Sequence, residues 1–162
     1  VIFLSGWSGE TAQELFALEA SHRIESLVLA FEQALLEKER KKPLSEPERD
    51  VLAIETLERD VNNGGYSQFF LNSPLEYVSS IVGALQRIGC PRTAAVTERA
   101  IAALRLGADL SPVALEERVM NAEPATQNEW LSCDREYLES GEDIAGRLFA
   151  YLKQHQVLVS LR

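Results

Sequence analysis

Apolar residues in this chain recur at three- and four-residue steps, and that spacing restricts the fold more than any other feature. Ile24, Leu27, Val28, Phe31, Ala34 and Leu35 trace one helical face. Val51, Ile54, Leu57 and Val61 trace a second, Leu75, Val78, Ile81, Leu85 and Ile88 a third, and Ile144, Leu148, Tyr151 and Leu152 a fourth. No stretch alternates apolar and polar residues over the length of a good strand. The expected fold is all-α: a single-domain bundle of about seven or eight short helices over 1–162, with 1–8 and 156–162 as peripheral tails.

Local signals set the expected boundaries. A helical stretch over 9–42 breaks at Ser21, which caps its second part. It closes on the basic run KERKK before Pro43, a cationic last turn that complements the helix dipole. Ser45 with Glu48, Ser73 with Glu76, and Thr126 with Glu129 read as capping boxes. Pro91 opens a helix running to about Leu106, and Pro112 opens another, while Gly89, Gly107 and Gly141 end helices. The terminal segments VIFLS and VLVSLR are β-prone and are expected to pair with each other if they pair at all.

Several chemistries lack their materials. Nucleophilic catalysis needs a Ser or Cys beside a positioned base. The two histidines, His22 and His155, stand near no nucleophile signature. There is no G-x-S-x-G, H-E-x-x-H or phosphate loop followed by Lys. Glu19 and His22 form a lone half of the Glu-x-x-His pattern that two-metal carboxylate bundles use in pairs. Cys90 and Cys133 fit no zinc spacing and read as free thiols of a reducing cytoplasm. No catalytic residue, metal ligand or cofactor is assigned, and the chain is expected not to be an enzyme. No apolar run approaches a membrane span, and VIFLSGW is too short and lacks the basic region of a signal peptide. The chain opens on Val1 rather than Met, so its natural start is expected upstream.

The stretch NNGGYSQFFLNSPLEY, residues 62–77, is the most distinctive in the sequence. Two adjacent glycines permit a sharp turn, and Gln68, Asn72 and Ser73 stand where polar groups can satisfy the backbone ends such a turn leaves open. Glu58, Asn63, Gly64, Gly65, Tyr66, Gln68, Phe69, Asn72 and Ser73 are accordingly read as a structural motif. An anion-binding nest at the glycines is disfavoured, because no basic residue is close by in sequence and Glu58 and Asp60 precede them.

Charge is regional. The net formal charge is −9. Residues 107–143 hold ten acids, Asp109, Glu116, Glu117, Glu123, Glu129, Asp134, Glu136, Glu139, Glu142 and Asp143, against Arg118 and Arg135, a balance of −8. Such a field repels nucleic acid and attracts basic surfaces, and carboxylates along neighbouring helices can imitate the phosphate rows of a duplex. These ten are the expected partner-binding residues, provided that they share a face and that Arg87, Arg92, Arg99 and Arg105 do not break the field.

The chain resembles the DNA-mimic protein 19 family of bacterial proteins. Glu58, Asp60-Val61, Asn63-Gly64-Gly65-Tyr66, Gln68-Phe69-Phe70 and Asn72-Ser73 carry the resemblance, supported by residues 84–104, Tyr137 and the stripe around Tyr151. It covers roughly residues 49–151. What it implies is an all-α bacterial cytoplasmic protein, a homodimer, and an acidic surface that docks on a basic partner such as a helix-turn-helix regulator, without binding nucleic acid or membrane itself. Two other functions stay open at this point: an immunity-like inhibitor of a basic toxin, and a small-ligand binder or enzyme with a pocket near Asn63, Tyr66, Gln68 and Asn72.

Overall fold

A computed structural model describes residues 1–108 and 111–162. Among them are eight α-helices: α1 Ala12–Ala17, α2 Ile24–Glu39, α3 Glu46–Asn72, α4 Leu75–Arg87, α5 Pro91–Ala102, α6 Pro112–Met120, α7 Pro124–Glu139 and α8 Ile144–Gln154. A 3-10 turn, Gln156–Leu158, follows. The fold is all-α, as the apolar spacing requires. Two compact units are distinguishable, Val1–Glu55 with Asp143–Arg162, and Thr56–Glu142.

In the first unit α1 starts on a capping box. Thr11 Oγ1 accepts from the Glu14 amide at 3.2 Å and the Glu14 carboxylate accepts from the Thr11 amide at 2.7 Å, which offsets the orphan donors of a six-residue helix. Helices α2 and α8 pack together. Phe16, Phe31 and Phe149 meet with ring centroids 5.1–6.4 Å apart. Of the predicted stripe, Leu27, Val28, Phe31, Ala34 and Leu35 are buried, and Ile24 at the start of the helix is half-buried.

Ser21 does not cap α2. The helix begins two residues beyond its reach, with Arg23 at the cap position and no side-chain cap. The cause is an edge contact: Ile2 donates to the Ser21 carbonyl at 2.9 Å and accepts from the Arg23 amide at 2.8 Å, bridging to His22, while Ser21 itself lies in the turn that closes on Leu18. That contact also corrects the expected pairing of the two ends, because VIFLS bridges to His22. The C-terminal segment instead forms the 3-10 turn and buries Val159 and Leu161.

The Ser45–Glu48 capping box is present and does more than cap. The buried Glu48 carboxylate accepts from the Ser45 amide at 2.9 Å, the Ser160 amide at 2.8 Å, and Lys38 Nζ at 2.8 and 2.9 Å. Lys38 also donates to the Ser160 carbonyl, and Ser45 Oγ to the Leu158 carbonyl. One carboxylate thus ties the end of α2, the start of α3 and the C-terminal segment. Lys38 spends its charge on that ion pair, and Lys41 and Lys42 lie beyond the helix rather than in its last turn.

In the second unit α4 packs on α5 and α5 on α7. Helix α4 ends as expected at Gly89 (φ 81°): Gly89 donates to the Gln86 carbonyl and Cys90 to the Leu85 carbonyl, the paired bonds of a Schellman motif. Two expected capping boxes are absent. Ser73 lies just past α3 and closes its last turn by donating its amide to the Phe69 carbonyl, so Pro74 takes the cap position of α4 and the Ser73 hydroxyl is buried without a partner among the described residues. Pro124, whose fixed φ suits a first helical position, starts α7 ahead of Thr126, and Glu123 precedes it without a side-chain cap. Helix α5 ends at Ala102, short of Leu106.

Removing Glu48 strands a shielded ammonium and two amides. Glu48→Ala is expected to lower unfolding free energy by about 3–5 kcal/mol, the usual effect of breaking a buried pair from one side. Urea unfolding measures it, and a loss below about 1 kcal/mol contradicts the assignment.

Candidate interaction surface and the Asn-Gly-Gly turn

Helix α3 is two helical pieces joined at a bend. Gly64 lies at φ −149°, ψ 16° and Gly65 at φ 78°, ψ −175°. The second combination is almost confined to glycine. A Cβ on Gly65 would also stand 2.3 Å from Asp134 Oδ2. That approach is functional, because Asp134 Oδ1 accepts the Tyr66 amide at 2.8 Å, satisfying the first donor of the new helical piece. The residue that closes the turn therefore comes from α7, 68 positions along the chain.

Tyr66 is fully buried, and burial raises its phenol above the ordinary value. Its hydroxyl meets Thr97 Oγ1 at 2.7 Å. Its ring meets Tyr137 edge-on at 5.9 Å and Phe70 at 6.1 Å, and Phe70 continues to Trp130. Trp130 donates to the Ala100 carbonyl at 3.0 Å. Tyr137 donates to Glu58, whose carboxyl burial pushes above the usual range. Gln68 donates to Asp60 Oδ1 at 3.2 Å, while Asp60 Oδ2 is buried without a partner among the described residues. Of the expected amides, Gln68 thus serves a carboxylate, and Asn63 and Asn72 are exposed. Asn62 instead bonds the Glu58 carbonyl at 2.6 Å. Phe69 is buried in the aromatic cluster beside Phe70.

The ten acidic residues separate by what they touch. Asp109 lies outside the described residues. Asp134 closes the glycine turn, and partial burial raises its carboxyl above the ordinary range. Glu142 accepts the Arg92 and Thr93 amides at 2.9 and 2.8 Å and the Thr93 hydroxyl at 2.7 Å, neutralising the start of α5. Asp143 caps α8 through the Gly146 amide at 3.0 Å. Glu129 and Glu136 are bridged by Arg99 of α5 at 2.9 and 2.7 Å, and the Arg99 hydrogen bond holds the Glu136 carboxyl below its usual range. Glu116, Glu117, Glu123 and Glu139 are exposed, and their carboxylates have no hydrogen bond or ion pair among the described residues.

Beside those four stand large apolar side chains that the fold does not use. Val113 and Met120 on α6, and Leu131 and Leu138 on α7, are each 60–67% exposed. Leu131 and Leu138, seven residues apart, line a shallow depression with Asn128, Asp134 and Arg135. The sequence held a sign of this that the charge count passed over: each leucine follows a residue of the buried Trp130–Tyr137 stripe and so falls off the core face. Arg99 was likewise readable, since Glu129 and Glu136 share a face and the small residues of α5 permit close approach.

The remaining candidates have local employment. His22 Nδ1 meets Ser21 Oγ, and His155 packs on the Tyr151 ring with Nδ1 near the Tyr151 carbonyl. Glu19 pairs with Lys153. Cys90 and Cys133 are buried free thiols, and burial pushes Cys133 up to about 11. Among the described residues no three His, Cys, Asp or Glu side chains are arranged to hold a metal ion, and no helix is long and apolar enough to cross a membrane.

Gly65→Ala is expected to cost about 1–3 kcal/mol from backbone strain, read by urea unfolding, and wild-type stability contradicts the turn assignment. Glu58→Gln tests the buried carboxyl. With its pKa raised, the folded state holds the Glu58 proton more tightly than the unfolded state. That contribution is complete below the ordinary carboxylate pKa and is lost as pH rises through the raised one. Glutamine keeps an acceptor for Tyr137 without titrating. The stability of the variant relative to wild type should therefore increase with pH across that window, and a pH-independent difference contradicts the assignment.

Neither a curated protein nor a solved structure matches the chain. The family model described as DMP19-like protein matches residues 42–155, more than two thirds of the sequence and all of the glycine turn. The chain belongs to the DMP19-like protein family.

Proposed function

We propose that this protein acts by contact rather than catalysis, presenting a carboxylate surface on α6 and α7 to a basic, DNA-binding partner. The observation that carries the reading is the set of four uncommitted, exposed carboxylates, Glu116, Glu117, Glu123 and Glu139, on the same helices as the exposed Val113, Met120, Leu131 and Leu138. Carboxylates steer a cationic partner and fix its register, and apolar side chains supply the area that dehydration turns into affinity. Glu123 and Glu139 flank almost the whole of α7, a span of roughly 24 Å at 1.5 Å per residue, long enough to meet several cations of a DNA-reading surface. Family membership and the acidic balance of residues 107–143 support a DNA-mimic role. The remaining acids contribute differently: Asp134, Glu142 and Asp143 serve the fold, and Glu129 and Glu136 share one arginine.

The test is capture from cell extract on immobilised protein, with a salt ramp and with duplex DNA as competitor. A basic protein should elute as salt rises, be displaced by duplex, and bind at least about tenfold more weakly to the E116K/E117K/E123K/E139K variant. A captured partner indifferent to charge reversal contradicts the reading.

A further inference from the structure

The basic run that closes α2 belongs to a part of the molecule the acidic surface leaves unexplained. Its lysines, Lys38, Lys41 and Lys42, together with Trp7, Leu161 and Arg162, line a pocket of about 320 Å³ within the first unit. That volume is at the lower end of small-molecule sites. Trp7 is held at two points: its indole Nε1 donates to the Glu10 carbonyl at 2.8 Å and its amide to Gln33 at 2.7 Å. Leu161, itself buried, adds a second apolar wall. Lys38 contributes only its alkyl stem, because its ammonium is spent on Glu48 and the Ser160 carbonyl.

The other basic side chains of the pocket, Lys41, Lys42 and Arg162, make no ion pair among the described residues. Lys41 and Lys42 are exposed, and their ammonium groups make no hydrogen bond or ion pair among the described residues. Arg162 donates to the Gly9 carbonyl at 3.1 Å, and its charge acts on the Glu14 carboxylate. Glu37 lines the pocket without pairing, and Glu14, which feels Arg162, is occupied by its capping box. Two uncommitted ammonium groups, Lys41 and Lys42, therefore stand with one uncommitted side-chain carboxylate, Glu37, around an apolar base. The negative charge of the whole chain does not cancel this, since salt screens separations beyond about 8 Å at physiological ionic strength.

We propose that this pocket binds a small planar anion: an aromatic ring seated against Trp7 and Leu161, with its phosphate or carboxylate paired to Lys41 and Lys42. A ring alone would leave the cations unsatisfied, and a bare inorganic anion would leave the apolar walls wet.

Calorimetric titration tests it, with adenosine 5′-monophosphate as the phosphate probe, 1-naphthoate as the carboxylate probe, and adenosine and inorganic phosphate as controls. At least one aryl anion should bind with a Kd of about 1 mM or tighter, and each control at least about tenfold more weakly. The K41Q/K42Q variant, altered only at exposed positions, should bind that anion at least about tenfold more weakly, and the preferred probe identifies the anionic group. No binding of either aryl anion, affinity unchanged in K41Q/K42Q, or inorganic phosphate binding as tightly as the aryl anions overturns the proposal.

Discussion

The contact between Asp134 and the Tyr66 amide fixes the geometry on which the second unit depends. It works only because Gly65 has no side chain, since a Cβ there would occupy the space the carboxylate needs. Once the bend is set, Tyr66 points into the interior against Thr97, Tyr137 and Phe70, and the aromatic cluster connects α3 with α5 and α7. Short-range backbone chemistry and long-range packing thus meet at one carboxylate.

That same carboxylate is counted in the acidic segment, which is why composition alone overstates the surface field. A formal charge of −8 over residues 107–143 says nothing about which oxygens are already accepting hydrogen bonds. Glu142 and Asp143 are adjacent in sequence yet satisfy the starts of two different helices, α5 and α8. An exposed pair such as Arg99 with Glu129 and Glu136 adds little stability, but it lowers the local negative potential where a partner would dock.

The helices were legible because their apolar stripes and stop signals are local. Gly89, Pro112 and Ser45 each did at the helix ends what their chemistry predicts. Ser21, Ser73 and Thr126 did not, because a distant strand-like contact at Ile2 or a neighbouring proline moved the helix start away from them. The glycine turn was recognisable, but its partner was not: nothing near Gly65 in sequence announces Asp134. The pocket at Trp7 was hidden for the same reason, since residues 7, 41, 42 and 161 converge only in the folded chain.

What organises this surface is a division of the acids of residues 107–143 into those the fold employs and those left to solvent. Site-resolved carboxyl titration by carbon-detected NMR tests it most directly. This division predicts that Asp134 titrates above the ordinary aspartate value, because it is partly buried at the turn. It predicts that Glu136 titrates below the ordinary glutamate value, because Arg99 holds it. If both titrate together in the ordinary carboxylate range, the division does not exist and the account is wrong.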